Sequence, residues 1–187
     1  MTAYRPSTLL GALLAAAAVL PATVTPALAQ EEHPIQVALW APIQAFPEED
    51  AIRGIRLSLL YGKNSSVTGV DWGLVSHTTR EFLGVQIGGV GIAEGTFTGL
   101  QSNVVNVVEG DFEGLQWGAV NSVESGRGAQ IGFVNVAQGF RGLQISLVNY
   151  AETLDGVQIG LVNIIRRGGV APVLPLVNWS VRERTPN

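Results

Sequence analysis

Between Gly84 and Asn163 one short phrase is written six times: Gly84-Val-Gln-Ile-Gly, Gly99-Leu-Gln-Ser-Asn, Gly114-Leu-Gln-Trp-Gly, Gly128-Ala-Gln-Ile-Gly, Gly142-Leu-Gln-Ile-Ser and Gly156-Val-Gln-Ile-Gly. The leading glycines follow one another at steps of 15, 15, 14, 14 and 14 residues. A repeat on this period decides architecture before any single residue is weighed. With the leading glycine as position zero, position two holds Gln86, Gln101, Gln116, Gln130, Gln144 and Gln158. Position six is valine throughout. Position seven holds Asn106, Asn121, Asn135, Asn149 and Asn163, with Gly91 as the exception. Positions one, three and five carry large apolar groups, as in Leu143, Ile145 and Leu147. This alternation has the period of a strand. The connectors, such as Glu94-Gly95-Thr96 and Glu109-Gly110-Asp111, have turn composition, and their acids read as solvated.

Two all-β architectures fit. In a narrow β-solenoid each 14–15-residue unit is one coil, and equivalent residues stack about 4.8 Å apart. The large side chains at positions one, three and five then face inward, and the asparagines form a buried ladder, because a buried amide must be hydrogen-bonded. In an antiparallel meander or up-and-down barrel each unit is one strand. Large apolar side chains would face lipid, and Gly and Gln would face the lumen. Sparse aromatic girdles, with 4 Trp and 3 Tyr in the whole chain, and uniformly short connectors count against the barrel, so the solenoid is favoured.

The rest of the chain frames this repeat. Residues 1–29 read as a secretory signal peptide: Arg5 is the positive start, Leu9 to Leu20 the apolar run, and Ala27-Leu28-Ala29 a small-residue cleavage site. Export then places the protein in the periplasm, the outer membrane or at the cell surface. Residues 30–53 form a lead and a first strand around Ile35, Val37 and Leu39; residues 54–181 form the repeat domain; residues 182–187 are a polar tail. Asp71 stands where later units have glutamine. At the far end Asn178 extends the asparagine row, while Pro175 makes residues 170–181 a closing cap that blocks strand addition.

The units Gly114-Leu-Gln-Trp-Gly-Ala-Val-Asn121, Gly128-Ala-Gln-Ile-Gly-Phe-Val-Asn135 and Gly156-Val-Gln-Ile-Gly-Leu-Val-Asn163, with the closing Leu174-Pro-Leu-Val-Asn-Trp179, resemble a bacterial surface-repeat family built from G-[LV]-Q-[IV]-G-[LF]-V-N units. The resemblance covers roughly residues 35–181. It implies an exported protein near the outer membrane or surface, and it supplies no catalytic residues.

Chemistry has little to work with in this sequence. There is no cysteine, so neither a disulfide nor a lipid-bearing cysteine is available, and the two histidines, His33 and His77, lie far apart in the chain. His77 with Asp71 and Ser76 has no spacing that specifies a hydrolytic triad. No metal or cofactor set is expected, and the chain reads as non-enzymatic. The acids Glu109, Asp111, Glu113 and Glu124 lack a calcium-repeat period, and no helix pattern follows Gly88-Gly89-Val90-Gly91 to make a phosphate loop. Removing Arg5 with the signal peptide takes the formal charge from −4 to −5, which argues against nucleic acid as a partner. An envelope protein or a polysaccharide remains, and the row Gln86, Gln101, Gln116, Gln130, Gln144 and Gln158 is the candidate binding surface if it lies on an outer sheet face. Membrane association stays open. The expected role is a structural or interaction module at the cell envelope, with a small outer-membrane barrel, anchor or narrow pore, as the alternative.

Overall fold

Each leading glycine lies directly on the one before it, and this column fixes the architecture. Eight glycines, from Gly54 to Gly156 at repeat position zero, share a positive φ between 125° and 152°. At Gly114 a Cβ would collide with the carbonyl oxygen of Gly99, so only glycine permits both the backbone conformation and the close approach of successive coils. The computed structural model describes residues 31–41 and 43–180; the predicted signal peptide and polar tail lie outside the described residues. Eight strands form one sheet: β1 (Glu32–Trp40), β2 (Ile43–Gln44), β3 (Ala51–Ala93), β4 (Thr96–Trp117), β5 (Val120–Ile131), β6 (Val134–Ile145), β7 (Val148–Arg167) and β8 (Val173–Ser180). The described residues contain no helix.

From β1 to β7, excluding the short β2, every neighbouring pair is parallel and in repeat register. Gly84 lies opposite Gly99, Gln116 opposite Gln130 and Asn135 opposite Asn149. Parallel pairing of consecutive units is the signature of stacked coils, so the fold is the β-solenoid; the antiparallel meander or barrel is not adopted. The degenerate units led by Gly54 and Gly69 are full coils of the same stack. The closing segment departs from expectation. β8 turns back and pairs antiparallel with β7, which sets Asn178 against Gln158 rather than above Asn163. Its side chain donates to the carbonyls of Ala171 and Asn163 (2.9 and 3.4 Å), so Asn178 caps the stack and is not a rung of the asparagine ladder.

The interior inverts the expected sidedness. Large apolar side chains at positions one, three and five face outward, and the amides face inward. All six repeat glutamines and the asparagines 106, 121, 135, 149 and 163 are completely buried. Coil spacing explains why this is stable. Identical amides one coil apart sit at hydrogen-bonding distance, so each satisfies its neighbour and little desolvation cost remains. From Gln101 to Gln158 each Nε2 donates to the Oε1 of the glutamine in the preceding coil at 2.6–3.0 Å. The polarity of this row is forced at its start, where Gln86 donates to the carboxylate of Asp71 (3.0 Å), a group that can only accept. Asp71 in turn receives a bidentate ion pair from Arg56 at 2.9 and 2.7 Å, both residues fully buried at the same repeat position. The far end is open: Gln158 Oε1 has no donor, because the coil that would supply one is replaced by the reversed β8.

The asparagine row runs the other way. Asn106, Asn121, Asn135 and Asn149 each donate to the next coil's Oδ1 at 2.7–2.9 Å. The same Nδ2 atoms reach carbonyls at position three of the next coil, such as Ile131 and Ile145, which fixes the amide orientation. The two ladders therefore have opposed dipoles. Two irregularities in the repeat also explain each other. Gly91 lacks the asparagine, and a Cβ there would strike Gln86 Oε1 and Asn103 Nδ2. Asn103, which replaces a glycine one coil later, fills that space and donates to Gln86 Oε1 and Asn106 Oδ1 (3.2 and 2.8 Å).

Apolar packing is confined to the connector end of each coil. One column runs through Val67, Phe82, Phe97, Phe112, Phe140 and Leu154, and a facing column runs from Ala93 to Ile165. Phe82 and Phe97 stack with centroids 4.5 Å apart, and Phe140 leans into the gap left by Gly126.

Candidate functional site

The residues from position zero to position eight of every coil make a band with one property: none of its exposed side chains belongs to Asp, Glu, Lys or Arg. The only such residues in this window are Arg56 and Asp71, and both are internal. Positions one and three line one flank, position five forms the corner, and positions six and eight line the other flank. Trp117 is 62% exposed on the first flank. The corner is marked by Phe133 at 63%, Leu147 at 49% and Leu161 at 61%. Val120, Val148 and Val162 continue the surface on the second flank. At the stack ends Trp40 and Trp179 extend it, so all four tryptophans are exposed.

The opposite edge of each coil carries the charges. Arg141 pairs with Asp155 at 3.2 Å, Arg167 with Glu152 at 3.3 Å, and Glu109, Asp111, Glu113 and Glu124 are exposed. The coil is thus an amphipathic wedge, apolar at its tip and charged at its base. Period-two alternation revealed that two unlike faces exist, but it carried no information on which face is internal.

The glutamine row was the candidate binding surface, and its complete burial removes it from that role: a partner cannot reach amides whose donors are already spent on each other. The residues weighed as a hydrolytic set have other partners. Asp71 holds Arg56 and Gln86, whereas His77 lies between the Tyr61 hydroxyl and the Glu94 carboxylate, each at 2.8 Å. Burial raises the Tyr61 phenol above its ordinary pKa. At the first coil His33 stacks on Phe46 and contacts Asp50 at 3.0 Å, with Glu31 at 3.9 Å. The sequence reading missed this trio, because a chain reversal through β2 brings residues 31, 33 and 50 together.

Comparison with protein-family models, with curated proteins and with solved structures returns no match. The functional reading therefore stands on the geometry of the chain.

Proposed function

We propose that this chain is an exported, non-catalytic β-solenoid serving as a structural or interaction module of the bacterial cell envelope, and that it works through its uncharged band. The band is the observation that carries the reading. Stacking makes it continuous from coil to coil, and it carries more large exposed apolar side chains than the largest apolar patch of an ordinary monomer, roughly 300–600 Å², would hold. A surface of that size has to be covered by something. A polysaccharide loses support with the burial of the glutamine row, while an apolar partner gains it. The exported location rests on the signal-like residues 1–29.

Fractionation of cells expressing the full chain, with a carbonate wash and proteinase treatment of intact cells, tests this reading. Recovery of a processed protein with the envelope is expected. Unprocessed protein in the cytosol, dispersed and free of any partner, would overturn it.

A further inference from the structure

We infer that the occupant of the band is the hydrocarbon of a lipid bilayer, with the solenoid lying in one leaflet, its axis along the membrane plane and its position-five corners pointing inward. This rests on the reading that the band is the working surface. Four features select lipid over a protein partner or a second copy.

Shape comes first. The band covers both flanks and the corner between them. A flat partner, or a second copy in a two-fold dimer, covers one flank and leaves the other in water. A medium that surrounds the tip covers all three surfaces.

Corner chemistry is the second feature. Turns exposed to water are built from Gly, Asn, Asp, Ser and Pro. Here the corners Gly132-Phe133, Ser146-Leu147 and Gly160-Leu161 each project an exposed apolar residue, Gly118-Ala119 a half-buried one, and Gly88-Gly89 alone has none among these coils.

The third is backbone satisfaction, which a bilayer demands because it offers no hydrogen bonds. Corner amides bond from coil to coil: Phe133 N donates to Ala119 O, Val148 N to Phe133 O and Val162 N to Leu147 O, each at 3.0 Å. The repeat glutamines and asparagines of the same window are sealed in the two ladders, while Ser58 Oγ and Ser76 Oγ are buried without a partner.

Depth is the fourth. From position zero to the corner at position five is five residues, or about 17 Å of strand. One leaflet contributes about 15 Å of hydrocarbon, half of a core about 30 Å thick. The charged base begins where the headgroups would lie. Because the chain is acidic, binding is driven by apolar burial and is insensitive to salt, unlike that of a lysine-rich amphipathic helix.

The test uses the processed full chain and vesicles of zwitterionic phosphatidylcholine, some carrying bromine midway along the acyl chain. Flotation with the vesicles in both low and high salt is expected, together with quenching of Trp72 and Trp117 by the brominated lipid. Phe133→Asp and Leu147→Asp each place a carboxylate at the tip and should lower vesicle partitioning about 100-fold. Both positions are exposed, so the β-sheet circular dichroism should not change. Gln138→Asp, at the charged base, should leave partitioning intact. A protein that stays out of the vesicles as an oligomer with shielded tryptophans overturns the lipid assignment but keeps the interaction module. A monomer whose tryptophans are open to iodide with and without vesicles overturns both.

Discussion

Asp71 terminates the glutamine ladder and neutralises the only fully buried arginine among the described residues, so its replacement tests how the interior is held together. Asp71→Leu leaves the Arg56 guanidinium without a counter-charge inside the stack, and breaking such a pair costs about 3–5 kcal/mol. Arg56→Met with Asp71→Leu removes both charges but still strands the Gln86 amide, so a deficit of about 1–3 kcal/mol should remain. Arg56→Gln with Asp71→Gln writes the repeat's own residue at both positions. It should extend the ladder by two rungs and return stability to within about 1 kcal/mol of the parent. Urea unfolding followed by circular dichroism and by the fluorescence of the neighbouring Trp72 gives the order of the four proteins. The reasoning fails if Asp71→Leu unfolds with the parent, or if the glutamine pair is no better than the leucine-methionine pair.

Gly91→Asn alone should clash with Gln86 and Asn103, and Asn103→Gly alone should leave their amide contacts unmade; each should lower the urea midpoint, and the double exchange should recover most of the loss. Gly114→Ala forces a side chain into a positive φ and against the Gly99 carbonyl, and should cost ~3 kcal/mol or more in the same assay. Tyr61, raised by burial, and Tyr150, raised by its hydrogen bond to Glu152, hold their protons more tightly folded than unfolded. Their contribution to stability is therefore full below pH 10 and is lost as the pH climbs through the raised folded values. Absorbance at alkaline pH should show both phenols titrating above the ordinary value, and a normal titration in the folded protein would contradict this.

Period, parallel stacking and the ladder asparagines were readable because each repeats, and a repeat constrains register at every coil. Sidedness was not. Apolar residues are usually internal, but the rule runs one way, and Gln86 to Gln158 can be internal because each amide meets its own copy at one coil spacing. The structure combines the stacking expected of a solenoid with the sidedness expected of a barrel. Nor could the reversal at β8 be read, since Val177-Asn178 copies the repeat's Val-Asn pair in sequence while pairing antiparallel with Ile159 and Gln158. The trio of Glu31, His33 and Asp50 depended on a long-range return of the chain that no local pattern announces.

The central claim, an amide interior with a lipid-facing apolar exterior, is tested most directly across a single coil. The chain has no cysteine, so single cysteines from position 127 to position 141 can be spin-labelled in vesicles and probed with oxygen, which concentrates in hydrocarbon, and with a water-soluble nickel chelate. The account predicts oxygen contact that peaks at position 133 and falls towards positions 127 and 141, where nickel contact rises, with labels at 130 and 135 reached by neither. Greater nickel than oxygen contact at position 133, or free access at 130, would contradict it.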